Sequence, residues 1–186
     1  MQHDPYKHIS KFLSLVLRHQ PEKIGLRLDV QGWAEIGELI EKSAASGMRF
    51  TREELLETVR TNDKQRFALN PGQTAIRASQ GHSVAVELAL PVMTPPETLY
   101  HGTVEKFLES IRSGGLQKMK RQHVHLSANL QTAGQVGARR GKPVILKVRS
   151  GDMHRRGHIF HISENGVWLT DAVPPEFLEP FNDATC

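Results

Sequence analysis

Arg18 and His19 stand side by side at the end of an apolar-periodic stretch, KFLSLVLRH, immediately before Gln20 and Pro21. A guanidinium is a rigid fork of donors suited to phosphate, and an imidazole beside it changes charge near pH 7. The pair suits anion binding and proton transfer. On the residues alone the better reading is that both merely complement a helix C-terminal dipole, worth about 0.3–1 kcal/mol at a surface. A second set lies in RQHVHLS, where alternation predicts a strand with His123 and His125 on one face and Val124 and Leu126 on the other. Two such rings could bind a metal, but the chain offers no HExxH, no cysteine set and no nearby carboxylate, so a metal-free polar site is the better reading. A third set is LYHGT. His101 ends a strand, Gly102 would let a ligand approach the backbone, and Thr103 is expected to cap the next helix. Strand end, glycine and helix start together make an anion or nucleotide pocket.

Charge is unevenly placed around these residues. Between Arg112 and Arg156 there are eleven Lys/Arg and one acid, Asp152, whereas Gly157 to Cys186 has five acids and no Lys/Arg. Such a block points to a polyanionic partner, a nucleic acid or a phosphorylated cofactor, or else to a solvated basic face.

The elements that must position these residues read as an α+β chain in two parts. Ile9, Phe12, Leu13, Val16 and Leu17 recur at helical spacing, and so do Trp33, Ile36, Leu39 and Ile40 after VQGW. TREELLETVR opens with Thr51 and Glu54 in capping-box register, and RFALN and AIRAS flank the turn PGQT. Three helices and a hairpin predict a winged-helix lobe over residues 1–90, a module that binds nucleic acid or protein. Pro91, Pro95 and Pro96 mark a linker over 91–97. Residues 98–186 then read as strand TLYHG, helix VEKFLESIRS stopped at Gly114-Gly115, strand HVHLS and helix LQTAGQVGARR. Strands PVILKVR, HIFHIS and VWLT follow, the last two joined by an Asn165-Gly166 turn.

Composition bounds the rest. The 186 residues are 38% hydrophobic and 24% charged, with no apolar run long enough for a membrane span and no h-region in MQHDPYKHISK, so a cytoplasmic protein is expected. Cys186 is the single cysteine and is expected to have no role. A monomer is expected.

In order and spacing, FLSLVLRHQPEKIGLRLDVQGW, KQRFALN, IRASQGHS, LYHGT, RQHVHLS and NGVWLT resemble the RNA 2′-phosphotransferase family along essentially the whole chain. The resemblance implies a C-terminal lobe with the ADP-ribosyltransferase fold and an enzyme that uses NAD as co-substrate, without a metal, to remove an internal 2′-phosphate from tRNA-like RNA. It implies a catalytic set of Arg18, His19, Arg66 and Arg121, and RNA contacts at Arg77 and His82. Toward NAD it implies His101 on a ribose hydroxyl and Gly102 on the nicotinamide amide, with Thr103, His125 and Ser127 nearby. Val167 stands where many relatives of that fold carry glutamate. Arg139 and Arg140 are left unassigned, and Glu164 is expected to be a solvated turn residue. Two other readings stay open: an ADP-ribosyltransferase acting on nucleic acid terminal phosphates or protein, and a winged-helix RNA binder without catalysis.

Overall fold

A computed structural model describes residues 5–180; Cys186 lies outside them. The chain divides into two units, Met1–Ala89 and Leu90–Cys186, each with its own apolar core.

In the first unit, helix α1 (Lys7–Arg18) buries Ile9, Leu13, Val16 and Leu17 on one face, as its apolar spacing requires. Strand β1 (Ala34–Glu35) leads directly into helix α2 (Ile36–Ala45), where the Glu35 carboxylate accepts from the N–H groups of Gly37 and Glu38. This cap starts the helix after Trp33, which the spacing had included. Helix α3 (Arg52–Arg60) carries both halves of the Thr51/Glu54 capping box, a motif whose cap residue is worth about 1 kcal/mol. Strands β2 (Phe67–Leu69) and β3 (Ala75–Ala78) form the expected hairpin, and β1 adds an unanticipated third strand in the order β1-β3-β2. Leu13, Leu17, Ile36, Leu39, Leu55 and Ile76 meet beneath the three helices and the sheet. Truncating any of them to alanine would cost about 2–5 kcal/mol.

In the second unit, the Pro-rich stretch has no regular structure, yet it does not stand apart from that unit. Met93 N–H donates to the Phe160 carbonyl, the Leu90 carbonyl accepts from His161, and Ile162 N–H donates to Pro91. Strand β4 (Leu99–Val104) is followed by a short 3-10 turn (Glu105–Phe107) and helix α4 (Leu108–Gly114). Gly115, at φ +72°, ends that helix, and a Cβ there would lie 2.1 Å from the Val173 carbonyl oxygen. Then come β5 (Leu116–Gln117), β6 (Val124–Leu126), α5 (Leu130–Gly137), a 3-10 turn (Ala138–Arg140) and β7 (Pro143–Val148). Helix α6 (Ser150–Arg155), which periodicity did not signal, precedes β8 (His161–Ile162), β9 (Trp168–Thr170), β10 (Ala172–Val173) and β11 (Leu178–Pro180). The anticipated strand HIFHIS is thus only two residues long. All pairings are antiparallel, in three small sheets ordered β11-β7-β4, β6-β9-β8 and β10-β5. A bridge between Tyr100 and Ser127 ties the first two together. No helix among the described residues is long and apolar enough to cross a membrane.

Candidate active site

The first unit gathers Arg18, His19, Arg66, Arg77 and His82. Arg18 is the last residue of α1 and donates from Nη2 to the Arg66 carbonyl at 3.2 Å, with its guanidinium 5.9 Å from the Phe67 ring centroid. Arg66 starts the hairpin. Its N–H donates to Asn62 Oδ1 at 3.2 Å, and its Nη1 reaches the same oxygen at 3.5 Å. Asn62 is itself buried and donates to Ser10 Oγ of α1 at 3.1 Å, so one amide links the helix to the arginine. Gln65, immediately before Arg66, has φ +41°, a strained conformation of the kind that persists where surrounding structure imposes it. Arg77 projects from β3 with its guanidinium 4.6 Å from the Trp33 centroid.

His82 differs from expectation. Its side chain is 1% exposed and neither ring nitrogen has a hydrogen-bond partner among the described residues, so it is a buried ring close to Arg18, His19 and Arg77. Burial, and then the positive charges of Arg18, His19 and Arg77, push its pKa down to about 4. The imidazole is therefore neutral at physiological pH. Next to it, Ser83 and Val84 N–H donate to the Arg18 carbonyl at 2.9 and 3.3 Å, and Ser83 Oγ lies 2.9 Å from His19 Nδ1. A distant loop thereby satisfies a carbonyl at the end of α1.

The second unit brings His101, Gly102, His125 and Arg121 together. The His101 ring donates from Nδ1 to the His125 carbonyl at 3.1 Å; since a carbonyl only accepts, the neutral ring keeps its lone pair at Nε2. Arg121 donates from Nη1 to His125 Nδ1 at 3.3 Å, which makes that nitrogen an acceptor. Burial holds the His101 pKa below the ordinary histidine value against the opposing bond to His125, with Arg121 and Arg140 adding to the depression. The Arg121 pKa is also lowered, first by desolvation and then by Arg140 and Arg139, which places both previously unassigned arginines in this neighbourhood. Met119, two residues before Arg121, has φ +54° and is 85% exposed.

Gly102 has two explanations, and the structure supplies the first. A Cβ there would lie 1.8 Å from the Ala133 carbonyl oxygen and 2.9 Å from Gly137 N, because α5 lays its small residues directly on β4. The second follows from the ladder. Tyr100 exchanges both backbone hydrogen bonds with Ser127, so alternation along β4 turns Gly102 N–H and C=O to that same side, away from β7. Thr103 is buried within β4, opposite Val144, and caps no helix; the next turn begins after Val104 without a side-chain cap. Ser127 Oγ accepts from Asn129 N–H and donates to the Asn129 carbonyl, shaping the entry to α5. Continuing the β6–β9 register by one residue sets Val167 opposite Ser127. Glu164 is exposed on the turn before it.

The two histidines stay on one face, as expected. His125 and His161 both lie opposite Leu169, and the His123 ring meets that same His161 at 5.8 Å, tilted 59°, while His125 faces Arg121. No group of three metal-ligating side chains occurs among the described residues. Asn62, Ser83, Arg139 and Arg140 are the site residues that sequence reasoning did not assign. Ser83, within the motif IRASQGHS, and Arg139 and Arg140, within the basic block, carried signals that could have found them; Asn62 carried none.

Residues 4–172 match the model of the family described as RNA 2′-phosphotransferase, Tpt1 / KptA family. The chain is 62% identical to a probable RNA 2′-phosphotransferase of Flavobacterium johnsoniae, over 93% of this chain and 95% of that one. It is 57% identical to a protein of the same name from Streptomyces coelicolor, over 96% and 97%, and 50% identical to one from Nostoc punctiforme, over 92% and 94%. With its motifs and its match running along nearly its whole length, the chain belongs to the RNA 2′-phosphotransferase family.

Proposed function

We propose that this protein is an NAD-dependent RNA 2′-phosphotransferase, with a winged-helix RNA lobe in the first unit and an ADP-ribosyltransferase-fold lobe in the second. The RNA 2′-phosphate attacks C1″ of the nicotinamide ribose, breaking the glycosidic bond and releasing nicotinamide. O2″ of that ribose then attacks the phosphorus, expelling the RNA 2′-oxygen and leaving ADP-ribose 1″,2″-cyclic phosphate. The observation that carries the reading is the first unit's cluster: Arg18 tied to Arg66 beside His19 and Arg77, around a histidine that burial and these cations keep neutral. Concentrated guanidiniums suit a phosphate dianion on an anionic backbone.

In this reading Arg18 and Arg66 hold the 2′-phosphate, Arg77 contacts the RNA, and His19 protonates the departing 2′-oxygen. His82 supports the cluster from behind. In the second unit, His101 Nε2 accepts from a ribose hydroxyl and the Gly102 backbone meets the nicotinamide amide. Arg121, with Arg139 and Arg140, meets charge on the diphosphate or the transferring phosphate. Valine at 167 suits step two, which needs O2″ unbound and nucleophilic. No metal takes part, and the protein works as a cytoplasmic monomer.

The test is incubation with NAD and a short RNA bearing one internal 2′-phosphate, with both products identified. RNA with a 2′-hydroxyl, nicotinamide and the cyclic phosphate are expected, unaffected by EDTA. Release of nicotinamide with ADP-ribose left on the RNA would instead favour an ADP-ribosyltransferase, and no nicotinamide release at all a binding protein. His19→Ala is expected to accumulate ADP-ribosylated RNA; unreacted substrate alone would move His19 to binding or to step one.

A further inference from the structure

His19 sits just beyond the last turn of α1, where its backbone N–H still bonds to Leu15. Nothing in that local geometry fixes which ring nitrogen faces outward. The loop carrying Gly81, His82 and Ser83 does. Its backbone is anchored twice on the Arg18 carbonyl, through Ser83 N–H at 2.9 Å and Val84 N–H at 3.3 Å, and it is backed by the buried ring of His82. From this anchored position Ser83 Oγ lies 2.9 Å from His19 Nδ1 and 3.4 Å from the Arg18 carbonyl oxygen.

A serine hydroxyl has one proton to give and lone pairs with which to accept. When the His19 ring is charged, both nitrogens carry protons, so Nδ1 must donate and Oγ must accept. The hydroxyl proton then needs an acceptor, and the Arg18 carbonyl is within reach. The chain of bonds runs Nδ1–H to Oγ, and Oγ–H to the carbonyl; a charged ring requires this direction, and a neutral ring keeps it when its remaining proton stays on Nδ1.

We propose that Ser83 is a positioning residue for His19: it retains the proton on Nδ1 and orients the ring so that Nε2 is the nitrogen that gives up a proton. This rests on the role of His19 in the reaction above. There the Nε2–H bond breaks as an O–H bond forms on the leaving RNA 2′-oxygen, and the ring is left neutral with Nδ1 still protonated. Metal-ligating and triad histidines are fixed in the same manner by a partner on their other nitrogen.

The decisive experiment is nitrogen-15 NMR of histidine-labelled full-length protein, with the His19 signals identified by their loss in His19→Gln. The neutral ring is expected in the Nδ1–H form. Ser83→Ala should move it toward the Nε2–H form, and Ser83→Thr should restore the original. Turnover of 2′-phosphorylated RNA should fall about tenfold in Ser83→Ala, with KM for NAD unchanged and activity recovered in Ser83→Thr. An Nε2–H ring in the unaltered protein, or a tautomer and turnover indifferent to Ser83→Ala, overturns the assignment. The NMR arm needs no substrate. If the unaltered protein leaves 2′-phosphorylated RNA intact while Ser83 governs the tautomer, the proposed reaction falls and the positioning role stands.

Discussion

Arg155 and Arg121 belong to the same basic block and meet opposite surroundings. Arg155 reaches both oxygens of Glu97 at 2.7 and 2.9 Å and Asp152 at 2.6 Å, bonds that raise its pKa further above the ordinary arginine value. Lys118, Lys147 and Arg149 are likewise paired, with Asp171, Glu179 and Asp152. Among the described residues, Arg121, Arg139 and Arg140 have no ion pair, and two of them press on the third. A run of cations in sequence is therefore two things in space. One part is a self-neutralised surface; the other is a concentration of charge that an anion would relieve.

The largest expected effect separates these two parts. Arg121→Ala should lower turnover of 2′-phosphorylated RNA about 100- to 1000-fold, with Lys a poor substitute because it lacks the planar fork. Arg155→Ala should leave turnover unchanged. Equal losses in both, measured under saturating NAD, would erase the distinction. The same outcome as for Arg121 is expected of Arg18→Ala and Arg66→Ala in the other unit.

Next in size is a pH effect confined to the first unit. The pKa of His82 is depressed in the folded protein to about 4 from the ordinary 6.5, so its neutral burial favours folding above pH 6.5. That contribution is lost as pH falls toward 4, because the unfolded chain takes up the proton first. Between pH 7.5 and pH 5 the loss is about 2 kcal/mol. His82→Phe should flatten this part of the pH dependence, measured by denaturant unfolding at the two pH values. A slope equal to that of the unaltered protein would mean His82 is hydrated in solution.

A smaller effect tests the placement of Arg140. Arg140→Ala should raise KM for NAD about tenfold, in keeping with loss of one charged contact, while KM for RNA stays constant. A change confined to the RNA term would move Arg140 to the other substrate. The smallest effect concerns strain: Gln65→Gly should stabilise the protein by about 0.5–1 kcal/mol, since glycine takes a positive φ at no steric cost. Reduced turnover in the stabilised variant would show that the conformation serves Arg66.

What the sequence determined by itself were the features written within a few residues. The apolar face of α1, the Thr51/Glu54 capping box and the β2–β3 hairpin each follow from spacings of two to four residues, over which backbone sterics and local hydrogen bonds act. Motif order determined the family in the same local way. Tertiary structure decided what depends on partners far along the chain. Strand β1 exists because Ala34 pairs with Ile76, and the six-residue helix α6, too short to form alone, is held where Met153 enters the core. Thr103 is strand and not cap because β7 continues beside it to Pro143. His82 and Ser83 are four and five residues beyond β3, yet one is buried near the arginines and the other reaches His19 across 64 positions. Burial and hydrogen-bond partnership are properties of the packed chain, and residue type alone does not state them.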